Sequence, residues 1–132
     1  MGVEAASVTR QLTTQGHTLV IVPQNLYEFW VVATRPVANN GLGRSAAETA
    51  ADIAYLRRLF TLLDDVPAIY PAWERLVTAH AVLGKTAHDA RLVAAMLTHG
   101  VTHMLTFNGA DFRRFAAVTV LTPAGVFTAA AP

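Results

Sequence analysis

The 132-residue chain contains 53% hydrophobic and only 14% charged residues, a composition that excludes extended disorder and is enough for one compact core. No apolar run approaches the roughly 20 residues that span a bilayer, and no basic, then apolar leader opens the chain, so we expect a cytoplasmic protein with no membrane contact. The absence of cysteine excludes disulfides and thiolate sites, and a net charge of +1 excludes a strongly basic nucleic-acid-binding surface.

The first half of the chain predicts helices around one short buried strand. Apolar residues at helical spacing predict a helix that ends near Gln15, and the β-branched run Thr18–Val22 predicts a strand. A helix is predicted over Gln24–Thr34. The next helix opens with the capping-box pattern of Ser45 and Glu48 and carries apolar residues as far as Leu63.

The second half continues the alternation of helices and strands. A proline-containing extended segment near Ala68 predicts an edge strand, and Pro71 opens a helix that carries Trp73. The remaining predicted elements are a helix over Asp89–His99 capped by Thr86 or His88, a strand over Thr102–Thr106, a one-turn helix over Asp111–Phe115 and a strand over Val118–Leu121. This order predicts a single α/β domain over residues 1–127 with a largely parallel sheet, followed by a frayed tail over 128–132.

Three of the nine carboxylates stand out by position. Glu28 lies one turn into the helix that follows the first predicted strand, Asp89 opens a helix, and Asp111 follows the strand that ends at Thr106. Groups just beyond the carboxyl ends of parallel strands converge in one crevice, where carboxylate oxygens suit Mg²⁺ or Mn²⁺. Each acid also has a structural interpretation, as a helix cap, a dipole partner or a surface charge. The other six, which we interpret as solvated, are Glu4, Glu48, Asp52, Asp64, Asp65 and Glu74.

Competing motifs are weaker. The segment Leu83–Thr86 ends like a phosphate-binding loop, but Ala79 replaces the first glycine and a helix leads into it. The five histidines lack zinc-site spacing, and His88 is the one that could lie near the crevice. The doublets Arg57–Arg58 and Arg113–Arg114 could touch phosphates or simply be solvated.

Three segments together resemble PIN-domain proteins, especially the VapC-like ribonuclease toxins of type II toxin–antitoxin systems. They are Pro23–Trp30, the Asp-Ala-Arg-Leu helix start at His88–Leu92, and Leu105–Phe112. The resemblance covers nearly the whole chain in order and spacing. It implies a three-layer α/β sandwich and an Mg²⁺- or Mn²⁺-dependent nuclease that hydrolyses RNA phosphodiesters, pairs with a small antitoxin and forms a homodimer.

The resemblance also assigns roles to individual residues. Glu28 matches the second acid of the family and Asp89 the third, and both are predicted to bind metal and act in catalysis. The fourth position falls at Asn108, with Asp111 one turn later as the alternative. Asn25 and Thr106 match supporting positions.

One part of the family pattern has no counterpart here. The family's first strand, central in its sheet, ends in Asp-Thr-Asn and supplies the first acid, whereas residues up to Gln15 predict the helix that follows that strand. We therefore expect weak metal binding. Three hypotheses remain: a metal-dependent endoribonuclease, a catalytically inactive module that binds an antitoxin or dimerises, and a small-molecule phosphohydrolase.

Overall fold

The computed structural model describes residues 12, 15–16, 18–101, 103–105 and 119–121. Their contacts fall into two compact units. We call residues 18–64 the crossover unit, and the described residues from Asp65 onward, with 12 and 15–16, the hairpin unit. In the described part of the chain no helix is long and apolar enough to cross a membrane.

The crossover unit contains two parallel strands joined through two helices. Its elements are β1 (Val20–Ile21), α1 (Pro23–Thr34), a 3₁₀ turn (Val37–Asn39), α2 (Ala46–Leu59) and β2 (Thr61–Leu62). Val20 pairs with Thr61 and Ile21 with Leu62. The predicted α/β character, with parallel strands connected by helices, is confirmed in this unit.

Both helices of the crossover unit begin as their sequences dictate. Pro23 occupies the first position of α1, where its missing N–H costs no helical hydrogen bond. The capping box predicted for α2 is confirmed: the Glu48 N–H donates to Ser45 Oγ over 3.0 Å, and the Ser45 N–H donates to Glu48 Oε1 over 2.9 Å.

The loop after α1 folds back onto the end of that helix. The N–H groups of Leu42 and Arg44 donate to the carbonyls of Val32 and Ala33 over 3.0 and 2.8 Å, and so satisfy acceptors that the helix leaves unpaired. Gly41 permits this close approach, because a Cβ atom there would lie 1.9 Å from the Arg35 carbonyl oxygen.

The hairpin unit is built on two helices, α3 (Ile69–Ala79) and α4 (Thr86–Thr98), followed by strands β3 (His103–Leu105) and β4 (Thr119–Leu121). The two strands pair in parallel. The buried residues Ala90, Val93 and Met96 of α4 form the core of this unit. Partly buried side chains pack against that core: Trp73, Leu76, Val77, Val82, Leu92 and Val101.

Both hairpin helices end in the same motif. After α3, Ala81 adopts a left-handed conformation with φ +48°, and the Val82 N–H donates to the Val77 carbonyl over 3.0 Å. After α4, Gly100 adopts φ +73°, and the Val101 N–H donates to the Met96 carbonyl over 2.8 Å. These bonds define a Schellman motif, and its apolar residue beyond the turn packs on the core in both cases.

Several predicted boundaries are wrong. The edge strand predicted near Ala68 is absent: Ala68 is the N-cap of α3, whose first turn accommodates Pro71. Helix α2 stops at Leu59 instead of continuing to Leu63, because Thr61–Leu62 is the strand that pairs with β1.

The start of α4 also differs from the prediction. Helix α4 begins at Thr86, and its N-cap Lys85 makes no side-chain capping bond, so neither Thr86 nor His88 is the cap. The predicted one-turn helix over Asp111–Phe115, the tail 128–132 and most of the N-terminal helix lie outside the described residues.

Candidate functional site

Glu28 lies in the second turn of α1, just beyond the end of β1. Its side chain is exposed, and its Oε1 accepts a hydrogen bond from Gln24 Nε2 over 2.9 Å. Gln24 is itself buried, with 6% of its surface exposed. A buried amide therefore orients an exposed carboxylate.

Asn25, predicted as a supporting residue, holds the turn between β1 and α1. Its Oδ1 accepts a hydrogen bond from the Val22 N–H over 2.8 Å. Val22 is the N-cap of α1, and it has no side-chain oxygen of its own to complete the cap. Asn25 thus fixes where α1 begins, and with it the position of Glu28 relative to the end of β1.

Asp89 lies in the first turn of α4 and is partly buried. The next residue, Ala90, is fully buried in the core of the hairpin unit, so the backbone that carries Asp89 is held by packing. The unpaired N–H groups of a helix start favour a negative charge there. This position suits an ionised carboxylate.

The two acids belong to different units, Glu28 to the crossover unit and Asp89 to the hairpin unit. The other predicted site residues, Thr106, Asn108 and Asp111, lie outside the described residues. Among the residues that are described, no three His, Asp or Glu side chains come close enough together to hold a metal ion. The carboxylates of Glu28 and Asp89 have the hard-oxygen chemistry that Mg²⁺ and Mn²⁺ require, so the donor type fits such an ion.

Glu48 and Asp52, two of the acids interpreted as solvated, also form an ion network with Arg44. Arg44 binds both oxygens of Asp52 through Nε and Nη2, the second contact over 3.0 Å, and its Nη1 lies 3.5 Å from Glu48 Oε2. The hydrogen bonds from Ser45, joined by the charge of Arg44, lower the pKa of Glu48. This network joins the loop after α1 to the first turns of α2 and has a structural role.

Asp65, another of the acids interpreted as solvated, forms an ion pair with Arg91. Their Nη2 and Oδ2 atoms lie 3.2 Å apart, and both side chains are more than one-third exposed. Exposed pairs of this kind contribute less than about 1 kcal/mol. The pair places the Arg of the Asp-Ala-Arg-Leu segment in a structural contact.

Sequence reasoning missed an aromatic pair that joins the exposed Tyr70 to the partly buried Trp73. The rings of Tyr70 and Trp73 lie with centroids 6.0 Å apart and planes tilted by 35°. The edge strand predicted near Ala68 obscures the helical i, i+3 spacing of Tyr70 and Trp73, because Tyr70 lies two residues after Ala68. That spacing, with Glu74 at i+4 from Tyr70, is the signal that could have identified the pair.

Comparison with known proteins gives no assignment: no protein-family model and no curated protein matches the chain.

Proposed function

We propose that the chain is a PIN-like, three-layer α/β domain that acts as a metal-dependent RNA endonuclease of the ribonuclease-toxin type. The observation that carries this proposal is the setting of Glu28. The residue lies in the second turn of the helix that follows a parallel-paired strand, and a buried glutamine orients its carboxylate. Side chains at the carboxyl ends of parallel strands are where α/β proteins place their ligand sites.

Glu28 and Asp89 are the residues that would hold Mg²⁺ or Mn²⁺, with Asn108 or Asp111 as a further ligand. A bound ion would supply activation of water and neutralisation of the phosphate charge. The chain's own contribution is to orient the ligands: Gln24 holds one oxygen of Glu28, and the start of α4 favours the charge of Asp89. The net charge of +1 supports a site in which ions neutralise the phosphate, since no strong basic field is available.

The test is RNA cleavage by the purified chain with Mg²⁺ or Mn²⁺ and with EDTA. We expect cleavage that EDTA abolishes and that falls about 100-fold or more in Asp89→Asn and in Glu28→Gln, since a metal contributes several kcal/mol to transition-state stabilisation. Glu48→Gln is the matched control, because it also removes one carboxylate but leaves activity unchanged. Calorimetric titration of the unaltered chain with Mn²⁺ should show weak binding, and Asp89→Asn should abolish it.

The double variant tests whether the two acids serve one site. If Glu28 and Asp89 hold the same ion, the Glu28→Gln/Asp89→Asn chain loses little more activity than either single variant. Multiplicative losses would argue against a shared ion. Cleavage that persists in EDTA, or activity on p-nitrophenyl phosphate but not on RNA, would refute the nuclease proposal.

A second candidate function, a protein-binding module without catalytic activity, is favoured by the surface of α1. Tyr27, Trp30 and Val31 lie at i, i+3 and i+4 on one face of this helix and are 62, 38 and 57% exposed. Contiguous exposed apolar side chains favour a protein interface. The partner would be an antitoxin protein or a second copy of the chain.

Light scattering and co-expression with the neighbouring gene product test this candidate. We expect Val31→Asp to release the partner or to convert a dimer to a monomer. Val37→Asp is the control, because it also places a charge at an exposed valine but lies outside this face of α1. A stable complex with no metal-dependent cleavage would favour the binding module over the enzyme.

A further inference from the structure

The aromatic pair of Tyr70 and Trp73 is anchored to the start of α4. The indole Nε1–H of Trp73 donates to the Ala87 carbonyl over 2.8 Å, and its ring packs against the core of the hairpin unit. Ala87 lies two residues before Asp89 in the first turn of α4. Trp73 is therefore anchored to the helix turn that also carries Asp89, the residue that we assign to metal binding.

Tyr70 carries an exposed ring in a fixed position. The residue is 65% exposed, although burial of an aromatic ring would stabilise the folded chain. Its hydroxyl donates to Glu74 Oε2 over 2.8 Å, and Trp73 supports it from the next turn. A ring fixed by its hydroxyl and by a neighbouring ring offers a flat apolar surface, and it loses little side-chain conformational entropy when a ligand binds.

The surroundings favour a nucleobase over another ligand for this surface. Single-stranded nucleic acids are bound by aromatic side chains on which bases stack, next to positive charge that contacts the backbone. The exposed Lys85 lies two residues before Ala87 and supplies such a charge at the same helix start. Tyr70 contacts Trp73, and Trp73 binds the turn that carries Asp89, so the stacking surface is linked through Trp73 to the turn on which the nuclease proposal places metal binding.

We propose that Tyr70, supported by Trp73, is the stacking surface for a base of a single-stranded RNA substrate. The assignment rests on the proposed nuclease function and adds to it a substrate-binding residue outside the acidic positions.

Binding in the absence of cleavage tests the proposal. We would measure fluorescence anisotropy of a labelled single-stranded RNA of mixed sequence with the full chain in EDTA. We expect Tyr70→Ala to weaken affinity about 10-fold, since stacking of one base contributes about 1–3 kcal/mol, and Tyr70→Phe to keep it within about 2-fold. Tyr55→Ala is the matched control, because Tyr55 is also exposed, at 52%, but lies on α2 of the other unit. Its affinity should equal that of the unaltered chain.

Other outcomes would overturn the assignment. These are unchanged affinity in Tyr70→Ala, equal losses in Tyr70→Phe and Tyr70→Ala, no RNA binding by the unaltered chain, or a Tyr70→Ala chain that loses only self-association. If Tyr70→Ala fails to fold, Tyr70→Leu keeps apolar bulk without a ring and should show the same loss. A Tyr70-dependent affinity without metal-dependent cleavage would refute the nuclease but keep the stacking site. Asp89-dependent cleavage with an unaltered KM in Tyr70→Ala would keep the nuclease proposal and refute the stacking site.

Discussion

Exchanging alanine and glycine at the ends of α3 and α4 should change stability in opposite directions. Ala81 and Gly100 occupy the same left-handed position of the same motif, with φ of +48° and +73°. The left-handed conformation costs a residue with a Cβ atom about 1–2 kcal/mol, and glycine avoids this cost. We therefore expect Ala81→Gly to stabilise the chain and Gly100→Ala to destabilise it.

The structure also bounds the size of each effect. A Cβ atom added at Gly100 would have no atom within 4 Å, so that substitution changes conformational energy alone. Part of this advantage of glycine is lost, because glycine also increases the conformational entropy of the unfolded chain, which lowers the free energy of unfolding by about 0.4–1 kcal/mol. The net expectation is a gain of about 0.5–1 kcal/mol in the free energy of unfolding for Ala81→Gly, and a loss of about the same size for Gly100→Ala.

Urea denaturation of the full chain, followed by tryptophan fluorescence, measures both effects. Ala54→Gly is the matched control for the alanine substitution: it makes the same chemical change at an exposed site inside α2, where glycine should cost about 1 kcal/mol. A destabilised Ala81→Gly chain, or shifts of the same sign in the Ala81 and Gly100 variants, would refute the assignment of the motif.

Two further predictions concern the starts of the crossover helices. Asn25→Ala should lower the free energy of unfolding by about 1 kcal/mol, because it removes the acceptor of the hydrogen bond at the start of α1. Asn25→Asp keeps an acceptor oxygen, so its free energy of unfolding should stay within about 0.5 kcal/mol of that of the unaltered chain. Urea denaturation of both variants measures these changes. The hydrogen bonds from Ser45 lower the pKa of Glu48 from its ordinary 4.5. The ionised Glu48 therefore stabilises the fold fully above about pH 4.5, and this stabilisation is lost as the pH falls through the lowered pKa of the folded state. Glu48→Gln should therefore flatten the dependence of stability on pH below about pH 4.5, and an unchanged acid limb would contradict the role of this carboxyl.

The elements that could be predicted from the sequence are those that local chemistry determines. Ser45 and Glu48 cap α2 through bonds that span three residues, and Pro23 needs only its own ring to suit the first turn of α1. The elements that could not be predicted depend on distant partners. Thr61 is a strand residue because it pairs with Val20, although the apolar pattern of α2 continues past it to Leu63.

The misplaced strand near Ala68 has a similar cause. A short apolar run beside proline fits an edge strand as well as a helix start, and periodicity over five residues does not separate the two. Packing does separate them: Ile69 is buried, and Trp73, one turn further on, bonds to the Ala87 carbonyl of the next helix. The helix is therefore selected by a contact across fourteen residues.

The same division applies to the candidate site. Each acid is placed by its own turn, Glu28 by the Gln24 amide four residues earlier and Asp89 by the start of α4, so sequence reasoning could assign both positions. Whether they act together is a non-local property, since they belong to separate units. Asp52 is an example of a non-local contact that sequence reasoning does not find. Helical periodicity places Asp52 on a solvated face, yet the loop before α2 folds back so that Arg44 forms an ion pair with it. For Glu28 and Asp89, the activity of the double variant measures whether the two residues are coupled, which neither local turn determines.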